Sequence, residues 1–176
     1  MSQQHWFIDE TKQRSYLMVA SAHRGDELDE LRKLIRGLVL KGQRRVHMAK
    51  ESDPRRRAIA AALCGAGVTA TIYDAPRGDY PHEQAARAAC LAALITDASH
   101  FPDVSLVLER DDSLLAWDRR RLYQLTHHLE NRVRYSHQRA AQEQLLAIPD
   151  AIAWCWARGG DWRRRIAPVI SDVRRL

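Results

Sequence analysis

Acidic residues stand where apolar runs stop. The run HWFI at 5–8 breaks into Asp9 and Glu10, RRVHMA at 44–49 is followed by Glu51, and VTATIYD at 68–74 ends on Asp74. DVSLVLE at 103–109 ends on Glu109, and Asp150 follows Pro149 at the start of a late apolar stretch. Carboxylates gathered in one place repel one another unless a cation joins them, and hard divalent ions such as Mg²⁺ take oxygen ligands. Two such ions about 4 Å apart can activate a water and stabilise the leaving oxygen of a phosphodiester. The chemistry on offer is metal-assisted hydrolysis. Single acids in such places also cap helices, and Asp53 and Asp112, each directly before an expected helix, read as caps. Asp9 abuts too apolar a run to be an ordinary turn acid.

The elements that must position these acids can be read from periodicity. Residues 5–9 and 14–23 read as strands, the second alternating around Tyr16, Met18 and Ala20. Leu28, Leu31, Leu34, Ile35 and Leu38 recur at helical spacing over 26–41, with Asp26 to cap and Gly42 to end. A third strand is expected at 44–49, then a helix from Ser52 or Asp53, with Pro54 in its first turn, to Cys64. A β-branched strand at 68–74, a helix at 82–98, and a strand at 103–109 apolar enough to be buried on both faces follow. Helical stretches at about 113–132 and 138–158 and a basic tail from Gly159 complete the chain.

Strands that begin consecutively and then alternate with helices imply a mixed sheet whose later strands run parallel through right-handed crossovers. This is a ribonuclease H-like topology, a mixed five-stranded sheet flanked by helices, with one helix inserted after the second strand. Ligands of open α/β sheets bind outside the carboxyl ends of the strands, which sets Asp74 and Glu109 on one rim. A ribonuclease H sheet puts the first strand beside the fourth, which would bring Asp9 there too.

A chain of 176 residues suits one domain, 1–176, and 45% hydrophobic with 28% charged residues excludes a wholly disordered protein. No run approaches the roughly 20 apolar residues of a membrane span, and the N-terminus lacks the pattern of a signal peptide, so a cytoplasmic protein without membrane association is expected. Cys64, Cys90 and Cys155 are far apart, without a CxxC pair for zinc, and read as buried thiols. A net charge of +6 and a pI near 9.6 suit a polyanion, and three arginine clusters, 55–57, 119–121 and 163–165, could neutralise phosphates. His127 and His128 are adjacent on a helix, about 100° apart, and cannot share a metal. Trp154 and Trp156 read as packing residues of the last helix.

FIDE at 7–10, RRVHMAKESDPRRRAIAAAL at 44–63, LVLER at 106–110 and LLAIPDAIAWCW at 145–156 occur in the order of a known family. The sequence resembles the largely uncharacterised bacterial ribonuclease H-like proteins, whose first strand ends in Asp-Glu-Ser-Gly and whose last helix carries Gln-x-x-Asp. The resemblance implies Asp9, Glu109 and Asp150 as an acidic centre for Mg²⁺ or Mn²⁺, with Glu10, His47 and Lys50 nearby. Asp74 joins the catalytic candidates from topology alone. The chain departs from the family at Thr11-Lys12, which replace Ser-Gly, at Glu109, where Asp is usual, and at Ala147, which takes the place of Gln.

Two functions follow. The first is a metal-dependent nuclease acting on DNA or RNA by a two-metal-type mechanism, with Asp9, Glu109 and Asp150 on the metal and Asp74 assisting. The second is a catalytically inactive module of the same fold, binding nucleic acid or a protein partner, and the departures favour it. A small-molecule enzyme is disfavoured, since no Gly-rich phosphate loop is present.

Overall fold

The computed structural model describes residues 3–130 and 132–176. Strands β1 (Gln4–Thr11) and β2 (Tyr16–Arg24) form a hairpin, and helices α1 (Leu28–Leu38) and α2 (Asp53–Gly65) lie between β2 and β3 (Thr69–Ala75). Then come α3 (Glu83–Ala98), β4 (Val104–Glu109), α4 (Leu115–Thr126), β5 (Val133–Gln138), α5 (Ala147–Arg158), α6 (Gly160–Ile166) and β6 (Ile170–Arg175). The sheet runs β5-β4-β1-β2-β3-β6, with β2 antiparallel to both its neighbours and all other pairs parallel.

Strand alternation divides the core in two. Phe7, Leu17, Val19, Ile72 and Val107 face a layer that includes buried Leu31 and Ile35 of α1, Ile59 and Leu63 of α2 and Ile152 of α5. Trp6, Ile8, Met18, Tyr73, Leu106 and Leu108 face Leu91 and Leu94 of α3 and Leu122 of α4. Gly159, at φ 76°, ends α5 in a conformation that side chains rarely adopt, and α6 follows at once. The cysteines are free, Cys90 and Cys155 buried and Cys64 half-buried. No helix among the described residues is long and apolar enough to cross a membrane.

The expected five strands become six, and the expected third one is not among them. Residues 44–49 run through a loop into a 3₁₀ turn at Met48–Lys50. Val46 and Met48 are buried, so the spacing of two is real. However, side chains rather than a neighbouring strand satisfy the backbone there. Asp150 accepts the Met48 N–H at 2.9 Å, and the Arg56 guanidinium donates to the carbonyls of Met48 at 2.8 Å and Ala49 at 3.1 Å. Two strands were not anticipated. β5 lies between the expected helical stretches, the second of which is helical only from Gln144 onward, and β6 lies in the basic tail, at the sheet edge beside β3.

Candidate functional site

β1 and β4 are parallel neighbours in which Ile8 pairs with Leu108, so Asp9 and Glu109 are the next residues on adjacent strands at one carboxyl rim. By alternation both project to the face covered by α5, which packs across β1 and β2 and carries Asp150 in its first turn. Asp9 is 7% exposed, and one of its oxygens accepts the Glu10 N–H at 2.8 Å. Burial holds the Asp9 carboxyl well above the ordinary carboxylate range; the charge of Glu109, a hydrogen bond shared with it, and the charges of Asp150 and Glu10 push the same way. Asp150 is raised as well, by burial first and by Glu109, against the opposing effects of the Met48 N–H, His47 and Arg45.

Among the described residues no ion pair engages Asp9, Glu109 or Asp150. Their donor set is wholly carboxylate oxygen, the kind that Mg²⁺ and Mn²⁺ prefer. Asp9 and Glu109, side by side on neighbouring parallel strands, are the two that could together hold a divalent cation. Asp150 is turned to Met48, and among the described residues no group of three or more His, Cys, Asp or Glu is arranged around one metal position. An open cleft of about 590 Å³ lies over the rim, lined by Asp9, Glu10, Thr11, Lys12, Glu109, Arg110, Asp111 and Asp112.

Asp74 stands apart from this group. β2 lies between β1 and β3, so the expectation that the Asp9 and Asp74 strands are neighbours is corrected. The Ser15 hydroxyl donates to the Asp74 carboxylate. Glu51 is buried and receives Arg55 at 3.2 Å. His47 sits on the loop before the 3₁₀ turn, near Asp150, and Lys50 is exposed. Neither Asp53 nor Asp112 caps a helix. Ser52 and Leu114 hold those positions, Asp53 pairs with Arg56 at 2.8 Å, and Asp112 receives Arg110 and Arg139.

A second polar centre lies behind the rim on the opposite face of β1. Arg87 of α3, 2% exposed, forks onto Asp118 of α4 at 2.7 and 2.6 Å. It also reaches Glu10 at 3.0 Å and donates to the Tyr16 hydroxyl at 2.8 Å, and His137 lies 3.1 Å from Asp118. Burial works against the Arg87 charge, but the bonds to Asp118 and the charge of Glu10 outweigh it and hold its pKa above the ordinary value. Glu10 is thereby committed away from Asp9. Sequence reasoning missed this centre, which forms only when five elements meet; the one signal was an arginine amid the apolar run of α3.

Trp154 and Trp156 are half-buried against the α5 side of the core, as read from sequence. Each carries a guanidinium over its ring, Arg56 at 4.3 Å and Arg163 at 4.6 Å.

No protein-family model matches this sequence, and neither does any curated protein. Solved structures do match. A chain of the complex of PCNA with RNase HII from Archaeoglobus fulgidus is 17% identical with a TM-score of 0.56, covering 90% of this chain and 73% of that one. A mutant of Bst-RNase HIII is 13% identical with a TM-score of 0.55, covering 86% of this chain and 51% of that one. Identities this low speak to architecture, and the architecture is shared: the chain has a ribonuclease H-like fold.

Proposed function

We propose that this protein is a metal-dependent nuclease, a single ribonuclease H-like domain that hydrolyses phosphodiester bonds of DNA or RNA at the Asp9–Glu109–Asp150 rim. One observation carries the reading: Asp9 of β1 and Glu109 of β4 stand side by side at the sheet's carboxyl rim, close enough to α5 for the charge of Asp150 to act on Asp9, and among the described residues no cationic side chain is paired with any of the three. Asp9 and Glu109 would hold Mg²⁺ or Mn²⁺, with Asp150 completing the donor set. A two-metal-type centre bound there supplies an activated water and stabilises the leaving oxygen. The Met48 N–H would keep Asp150 oriented. Asp74 has no part in this centre. The reading places the protein in the cytoplasm.

The test joins binding to catalysis. Mg²⁺ or Mn²⁺ should raise the melting temperature of the wild type, because a ligand of the folded state stabilises it. Asp9→Asn should lose both that rise and the cleavage of labelled DNA and RNA. If metal leaves the melting temperature unchanged and Asp9→Asn cleaves as well as the wild type, the assignment fails. The second reading, a module that binds nucleic acid or a protein partner without cutting, draws on Asp150 turned to Met48 and Glu10 held by Arg87. It predicts nucleic-acid binding with no cleavage in either metal.

A further inference from the structure

The three arginine clusters differ in what already occupies them. On the α5 side, Arg55 is paired with Glu51, Arg56 with Asp53, and both Arg164 and Arg165 with Asp161, while Arg163 donates to the Trp156 carbonyl. Arg119, Arg120 and Arg121 of α4 make no carboxylate pair among the described residues. Trp117, Arg120, Arg121 and Gln124 recur at helical spacing and face Ala88 of α3. Together they line a groove of about 340 Å³ that has no acidic residue in its wall. Arg121 is half-buried in this wall, and its Nε has no hydrogen-bond partner among the described residues. Two guanidinium groups free of carboxylate partners and an amide suit the oxygens of a phosphate.

This groove lies along α3 and α4, whose N-terminal ends follow the carboxyl ends of β3 and β4. Lys12 and Asp111 line both the rim cleft and a smaller hollow of about 240 Å³, which continues over Gln84 and Ser113. Ala88 lies one turn beyond Gln84 on α3, and Trp117 follows Ser113 into α4. A strand leaving the rim past Lys12, Gln84 and Ser113 would therefore reach the unpaired arginines about one helical turn farther along α3 and α4.

We propose that the α3–α4 groove at Arg120 and Arg121 binds a backbone phosphate of the nucleic acid whose phosphodiester lies at the rim, which fixes the side of the sheet over which the strand runs. This rests on the nuclease reading for what happens at the rim, though not for the binding itself. Labelled DNA and RNA oligonucleotides, titrated in EDTA and followed by fluorescence anisotropy, test it. The Arg120→Gln/Arg121→Gln variant should bind about tenfold more weakly, and its plot of log affinity against log salt should be shallower by about 2. Arg164→Gln/Arg165→Gln removes the same charge from the opposite layer and should change affinity less than about twofold. Equal losses in the two double variants, or no loss at Arg120 and Arg121, overturn the proposal. Arg120 is exposed, so Arg120→Gln alone serves if the double variant does not fold, with a slope change of about 1.

A nucleoside monophosphate should compete only weakly. If it displaces the oligonucleotide with equal affinity, the groove is a small-phosphate site and the strand path is wrong. Cleavage by the wild type in Mg²⁺ or Mn²⁺ is scored separately. A face-specific binding loss without cleavage keeps the groove and removes the nuclease reading; cleavage with no loss at Arg120 and Arg121 does the reverse.

Discussion

Asp9 carries the sharpest physical conflict in the molecule, a carboxyl held above its ordinary value of 3.8 by burial and by Glu109. Between those two values the unfolded chain releases a proton that the folded chain keeps. The stability that Asp9 contributes is therefore full below the unfolded value and is lost as the pH rises through the raised one. Asparagine keeps the shape and cannot ionise. In EDTA, Asp9→Asn should melt about 3 °C above the wild type near pH 8, the shift that ~1 kcal/mol produces at this chain length. The gap should close as the pH falls toward 4. A variant that melts below the wild type near pH 8 would show that the Asp9 charge is already compensated inside the fold. Metal binding would draw on the same conflict, since a cation held by Asp9 and Glu109 would offset the repulsion between them and favour the charged form that burial disfavours.

At the scale of elements, the 44–50 segment shows how side chains can replace a strand partner. The Arg56 guanidinium satisfies two carbonyls there and rests on Trp154, while Asp150 takes the Met48 N–H. Arg56→Ala should cost about 2–3 kcal/mol by leaving those carbonyls without a charged donor. Hydrogen exchange at the Met48 amide should accelerate more than exchange in β1; equal protection in variant and wild type would mean the loop is held by packing alone. The same segment marks a limit of sequence reading. Val46 and Met48 have the period of a strand, and only the distant Arg56 and Asp150 decide otherwise. β1 to β4 were legible because their apolar residues face helices. VRYSHQ of β5 and ISDVRR of β6 were not, since each is an edge strand with few apolar residues. Asp9 and Glu109 could be paired from the ends of their strands, whereas the sheet order that separates Asp74 from them depends on β2 as an intervening strand.

Over the whole molecule a net charge of +6 surrounds a rim whose own charge is negative, and the two act oppositely on a polyanion. The arginines of α4 attract phosphates, while Glu109, Asp111, Asp112 and whatever charge Asp9 retains repel them from the cleft where cleavage would occur. A divalent cation would reverse the sign of that repulsion locally. In its absence, the repulsion itself is measurable. Glu109 is one of the causes that hold Asp9 above its ordinary value, so Glu109→Gln alone lets Asp9 ionise more freely and part of the lost charge returns. The Asp9→Asn/Glu109→Gln double variant removes that charge at every pH. In EDTA at low salt it should bind oligonucleotides about threefold more tightly than the wild type, as expected for one fewer negative charge facing a phosphate across partly screened solvent. The gain should vanish near 0.5 M salt, and each single variant should show less of it. If the double variant binds no more tightly at low salt, no backbone passes over the rim, and the carboxyls belong to some chemistry other than phosphodiester hydrolysis.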